Sequence, residues 1–237
     1  MHTRTLGLAL ASTAAAAALS LGLASAASAE TYKVTIRNLT LGQVFSPPVV
    51  AAHPGSIQAF RAGKPASKPL EIMAEDGANN DLVEALENAG ANVSVADGPV
   101  PPGKKSVVFV DADNGNSYIT VLGMLVTTND AFVGLNAVDP AEQGRSVYRA
   151  IAYDAGTEVN DEDCAHIPGP PCGNGKQEAI TPGENGTDEG GVVHVHSGVH
   201  NLPNLSAAAE TTAYVDARQH DWRNPVAEIR IRKVNSK

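Results

Sequence analysis

Apolar and polar side chains alternate with a period of two at both ends of the stretch 30–237, and that period is the signature of half-buried β-strands. At the start, Tyr32, Val34 and Ile36 alternate with Lys33, Thr35 and Arg37. At the end, Ala227, Ile229, Ile231 and Lys233 alternate with Val226, Glu228, Arg230 and Arg232, and the pattern breaks only at its margins. Further β-rich runs cover 104–110, 117–126, 147–153, 192–196 and 211–215. Asp111-Ala112-Asp113-Asn114-Gly115 supplies turn residues between the first two of these, so together they read as a hairpin. One helix is expected, with Asn80 or Asp81 as its cap, Leu82, Val83 and Leu86 as its apolar stripe, and Gly90 at its end. Many short strands, frequent turns and one short helix predict an all-β fold, an antiparallel β-sandwich. Composition agrees: 22 Gly and 15 Pro among 237 residues disfavour a helical bundle, and 43% hydrophobic residues disfavour disorder.

Residues 1–29 lie outside that pattern. His2 and Arg4, an Ala/Leu run from Leu6 to Leu23, and Ala27-Ser28-Ala29 have the layout of a secretory signal peptide, with cleavage expected before Glu30. The expected mature protein is one domain, 30–237, in an extracellular or periplasmic setting. Losing Arg4 and no acid takes the formal charge from −9 to −10. An exported domain this acidic is not expected to bind nucleic acid, whose phosphates require a basic face, nor to adsorb to an anionic membrane. No later stretch supplies the ~20 apolar residues of a membrane span. Cys164 and Cys172 form an even pair at short spacing, which in an oxidising compartment predicts a disulfide closing a small loop around His166. Residues 160–191 hold 4 Pro, 7 Gly and 7 acidic residues and are expected to form a long loop across one end of the sandwich.

Common catalytic signatures are missing: there is no G-x-S-x-G, no H-E-x-x-H, no phosphate-cradling G-x-x-x-x-G-K and no dinucleotide fingerprint. Residues 111–115 resemble the start of an EF-hand loop, but Gly115 comes at the fifth position and Leu122 stands where a bidentate Glu is needed. They read as a turn.

The stretch Ser117 to Asn136, which contains Asn129-Asp130-Ala131-Phe132-Val133-Gly134, is followed by Tyr153-Asp154-Ala155-Gly156-Thr157-Glu158. These pieces resemble the spondin N-terminal domain family, the module of F-spondin, mindin and many bacterial secreted proteins. His53-Pro54, Ala66-Ser67, Ala74-Glu75-Asp76-Gly77 and Asn224-Pro225-Val226-Ala227 match in the same order, so the resemblance spans nearly all of 30–237. It implies a β-sandwich similar to a C2 domain with one calcium ion held by loops at one end. Carried over by motif, the calcium ligands fall on Asp130, Asp154 and Glu158. Animal members have Asp at the last position, and Asn136 replaces an acidic residue of their pattern. Carboxylates from two loops plus backbone carbonyls suit a cation that takes six to eight oxygens, and Glu can bind bidentately.

A second constellation is His194, His196 and His200. On a strand, His194 and His196 would share a face, a spacing that suits zinc or copper. Two readings follow. The first is a secreted, non-enzymatic, adhesion-like binding module that carries calcium and takes an unidentified extracellular ligand. The alternative is a transition-metal-binding protein or small metalloenzyme using these histidines, with His166 as a further candidate.

Overall fold

The alternation at the start becomes β1 (Glu30–Asn38), which buries Tyr32, Val34 and Ile36 completely and turns Lys33, Thr35 and Arg37 to the opposite face. The computed structural model describes residues 30–113, 115–140, 145–170, 172, 187–200 and 214–235. After β1 come β2 (Val49–His53), α1 (Lys68–Asp76), α2 (Asn80–Asn88), β3 (Asn92–Val95), β4 (Lys105–Asp111) and β5 (Tyr118–Met124). Then follow β6 (Ala131–Val138), β7 (Ser146–Asp154), β8 (His194–Val195), α3 (Ala217–His220) and β9 (Ala227–Asn235). The protein is mostly β, as expected. Eight strands form one antiparallel path, β3-β2-β5-β6-β7-β9-β1-β4, and β8 adds beside β7. The path nearly closes on itself like a barrel. Asn92 Nδ2 on β3 donates to the Asp111 carbonyl at the end of β4 (2.9 Å) and also meets the Asp113 carboxylate.

Strand β7 is where the path turns. Its first half, Ser146–Ala150, pairs with β9, while Ile151–Asp154 pairs with β6. The interior gathers Tyr32, Val34 and Ile36 of β1, Val108 and Val110 of β4, Ile229 and Ile231 of β9, and facing residues such as Val50, Ile119, Val121 and Val133. A second apolar layer covers the outer side of β2, β5 and β6. There Leu70 and Met73 of α1 and Leu82 and Leu86 of α2 pack on Val49, Leu122, Met124 and Phe132. Each such fully buried side chain contributes about 1.5–3 kcal/mol, enough to hold two short helices against the sheet. Phe60, Phe132 and Tyr153 form an aromatic trio in this layer, with ring centroids 4.8–5.7 Å apart.

Four expectations need correction. The runs at 104–110 and 117–126 do not form a hairpin: β4 pairs with β1, and β5 lies between β2 and β6. Turn residues mark where a chain reverses and carry no information about which strands then become neighbours. Helix α2 exists where expected, but its N-cap position is Asn79, and neither Asn80 nor Asp81 caps it. Helices α1 and α3 join it, so among the described residues one helix becomes three. The run at 192–196 contracts to β8, and of 211–215 only Tyr214 and Val215 are described, Tyr214 making an isolated bridge to Asp163. Residues 1–29 lie outside the described residues, as does part of the 160–191 loop. The described part of that loop packs across the 127–129 turn: Thr127 Oγ1 donates to the Pro170 carbonyl (2.9 Å), and the Glu162 N–H donates to Asn129 Oδ1 (3.1 Å). Cys164 and Cys172 are joined as a disulfide. Among the described residues, no helix is long and apolar enough to cross a membrane.

Candidate metal centre

The tight turn between β5 and β6 places the first ligand candidate. Thr128 Oγ1 donates to the Leu125 carbonyl (2.6 Å) and accepts the Ala131 N–H (3.1 Å), which presents Asp130 just before β6 begins. Register then does the rest. Ala131 lies opposite Asp154, the last residue of β7, and Asp154 in turn lies opposite His194 of β8. Two carboxylates far apart in sequence thus meet at one end of the sheet. Past Asp154 the chain turns through Gly156 at φ +69°, where an added Cβ would stand 2.5 Å from the Val192 nitrogen. Glycine is required there on both counts.

Asp130, Asp154 and His196 are buried and each offers a ligand atom, the three lying within 4.8 Å of one another. This group can hold a metal ion. Asp130 Oδ2 accepts the N–H groups of Thr157 (2.9 Å) and Glu158 (3.2 Å), whereas its Oδ1 is buried without a partner. Asp154 accepts the Gly156 N–H on Oδ1 (2.7 Å) and Asn160 Nδ2 on Oδ2 (2.6 Å). Glu158 is also buried. Its Oε1 accepts from Asn129 Nδ2 (2.9 Å), and its Oε2 has no partner.

A fourth carboxylate, Glu75 of α1, is 2% exposed and adds its field to both Asp130 and Glu158. Among the described residues, no Lys or Arg forms an ion pair with any of these four acids. Burial, reinforced by Asp154, pushes the Asp130 carboxyl up to about 7 despite the Thr157 and Glu158 N–H groups. Burial raises Glu158 to about 8, with Asn129 opposing and Glu75 and Asp130 adding, and raises Glu75 to about 7 against a hydrogen bond from Thr157. Carboxylates buried together without a countercharge must take up protons or a cation.

The histidines divide. His196 is 5% exposed beside Trp222, with Nε2 3.9 Å from Asp154 Oδ2. Its Nδ1 accepts the Gly198 N–H (2.9 Å), so the ring proton sits on Nε2 and is donated to Asn160 Oδ1 (2.9 Å). Burial lowers its pKa to about 4, with Asp154 opposing and His194 and His200 adding, so the ring is neutral at pH 7. His194 is half exposed, with Nδ1 bonded to the Val192 carbonyl (2.9 Å) and 3.7 Å from Asp154 Oδ1. That hydrogen bond, helped by Asp154, raises its pKa. His200 stands with Glu162 (3.6 Å) and His166 with Asp161 (2.6 Å), and neither belongs to the Asp130–Asp154–His196 group.

Sequence reasoning missed Glu75 and the two amides that organise the centre, Asn129 and Asn160. Glu75 is brought in by α1 packing on the sheet, which no local pattern encodes. Asn129 precedes Asp130 directly, and that adjacency was the available signal. No protein-family model matches the chain, and no curated protein matches its sequence.

Proposed function

We propose that the chain is an exported, non-enzymatic binding module of the spondin N-terminal type, in which a loop-held calcium ion is bound by Asp130, Asp154 and Glu158. The observation that carries the reading is the pair of buried, partnerless oxygens, Asp130 Oδ1 and Glu158 Oε2, in a carboxylate cluster with no Lys or Arg counterion among the described residues. The near-closed sheet, with its core between the β4-β1-β9 side and the β2-β5-β6 side, supports a two-layer sandwich similar to a C2 domain. The disulfide supports an oxidising destination.

Oxygens outnumber nitrogen in the close group, two carboxylates against one imidazole, and the buried Glu158 carboxylate belongs to the residue whose N–H is bonded to Asp130 Oδ2. That chemistry suits calcium better than a soft or borderline metal. An ion held there would neutralise Asp130 and Glu158 and tie the 127–130 turn to the 154–160 turn, stiffening one end of the sheet for an extracellular ligand. The second reading, zinc or copper, rests on the closeness of His196 to both aspartates. It requires the Nε2 proton to leave or move to Nδ1, where the Gly198 N–H already points.

Metal analysis of purified protein and thermal melts in excess calcium, in zinc and in chelator test the choice. Calcium is expected to raise the melting temperature, the added stability growing with free ion and reaching about 2.7 kcal/mol at ~100 times the dissociation constant. Identical melts in calcium and chelator would overturn the calcium reading. Stoichiometric zinc or copper that survives dialysis would replace it with the second.

A further inference from the structure

The charge of this acidic chain is unevenly distributed. On the outer side of β4, β1, β9 and β7 the pairing register sets side chains in rows. Lys33 and Arg232 stand beside Phe109 in one row, and Thr35 and Arg230 lie between Val107 and Val147 in the next. Lys105, Arg37, Glu228 and Arg149 make the third. With strands ~4.8 Å apart and alternate residues ~6.7 Å apart, the patch measures roughly 14 Å each way. Lys104 extends it at the β4 edge, where a furrow of about 470 Å³ opens between Arg37, Lys104, Lys105 and Arg230.

These rows and Lys104 hold seven of the chain's 17 Lys and Arg but only one of its 26 acids. That acid, Glu228, is already satisfied by Arg230 (2.6 Å) and Arg149 (3.2 Å) and is 11% exposed. Among the described residues, Lys33, Arg37, Lys104, Lys105 and Arg232 form no ion pair within 4 Å, and of the five only Arg37 shares the field of Glu228, on a protein of charge −9.

We infer that this sheet face binds a linear acidic polysaccharide, its sulfate or uronate groups seated against Arg37, Lys105 and Arg232. Guanidinium forks suit bidentate recognition of such groups, and the Thr35 hydroxyl can bond sugar hydroxyls. A thin polymer touches only the strip, whose continuation carries one acid, Asp111, at the end away from the furrow, and it leaves the acidic remainder of the molecule uncovered. A planar anionic membrane, by contrast, would also face that acidic remainder. A single-stranded nucleic acid needs aromatic platforms. The only aromatic on the three rows is Phe109, whose ring already lies under Lys33 Nζ at 5.6 Å. Arg149 and Asp154 are five residues apart on β7, roughly 17 Å along the strand, so the face is separate from the metal centre.

The test is titration calorimetry of the mature protein with a size-defined heparin oligosaccharide, in calcium and in chelator, over a salt series. Saturable binding in both conditions is expected, weakening as salt rises. Lys105→Glu with Arg232→Glu should cost at least tenfold in affinity and flatten the salt dependence by about two counterions. Lys64→Glu with Arg223→Glu, the same charge change away from the face, should cost less than threefold, circular dichroism confirming that both variants fold. Absence of binding, or equal losses in the two double variants, overturns the proposal. So does tighter binding to single-stranded oligonucleotide or phosphatidylserine vesicles, or self-association that Lys105→Glu with Arg232→Glu abolishes. Loss of the calcium response alone leaves it standing, because binding is read in chelator as well.

Discussion

Stripping the metal centre with a chelator should make the protein lose stability as pH rises, opposite to the usual behaviour of paired carboxylates. Asp130, Glu158 and Glu75 are buried without a Lys or Arg partner among the described residues, and their carboxyls lie at about 7, 8 and 7. In the unfolded chain such groups titrate near ~4. Across the window from ~4 to ~7 the folded state keeps protons that the unfolded state has released. The unfolding free energy therefore falls as pH rises, by up to about 1.4 kcal/mol per pH unit for one fully offset group. Over three units one such carboxyl is worth on the order of 4 kcal/mol. The three share each other's field and do not add, so the expected loss between about pH 4.5 and 7.5 is of that order rather than three times it.

Calcium competes with those protons for the same oxygens. Saturating calcium should flatten the loss, and the stabilisation it brings should be larger at pH 8 than at pH 5. The assay is urea unfolding followed by fluorescence of Trp222, the chain's one Trp, which is 7% exposed beside His196. Metal-free protein that is equally or more stable at pH 8 than at pH 5 would refute the reasoning, since it would mean that these acids ionise without cost in the folded state.

Three further outcomes are expected. Asp154→Asn should remove most of the calcium-dependent rise in melting temperature, whereas Asp111→Asn, whose carboxylate only accepts from Thr31 at the sheet seam, should leave it unchanged in paired melts. Gly156→Ala should destabilise by more than ~1 kcal/mol in urea unfolding, because φ +69° and the close Val192 backbone both oppose a side chain. Reducing Cys164–Cys172, which closes a short loop, should cost about 2–3 kcal/mol in the same assay, and a thiol count on denatured, unreduced protein should find none free.

What could be read from the sequence follows from how many faces each strand buries. β1 and β9 expose one face to solvent, so their alternation is visible residue by residue. β2 and β5 are covered on both sides, by the interior and by α1 and α2, and their side chains carry no polar stripe to mark a period. Val49–His53 therefore passed unread as a strand, and Tyr118–Met124 was read as a strand but paired wrongly. Helix α1 was missed because it is short, opens Ser67-Lys68-Pro69 and buries Ile72, Met73, Ala74 and the charged Glu75 in succession, which blurs the apolar stripe.

The centre shows the same division. Asp130 and Asp154 could be named because each sits in a short motif that carries the family resemblance. Their meeting depends on Ala131 facing Asp154 across two strands, and Glu75 arrives only through helix packing. Charge is the sharper case. A charge of −10 for the expected mature chain argues against nucleic acid and an anionic membrane surface, yet a sum over a chain carries no positions. Alternation decides which residues leave the core, and register decides which of those become neighbours. Lys33, Arg37, Lys105, Arg149, Arg230 and Arg232 are scattered over two hundred residues, and antiparallel pairing of four strands gathers them on one face. Acids gather instead at the far end of β7, where Asp130 and Asp154 meet beside Glu158. One sheet thus presents a cation-seeking end and an anion-seeking face, and their separation along β7 keeps five exposed cations from neutralising the carboxylates that a metal must find bare.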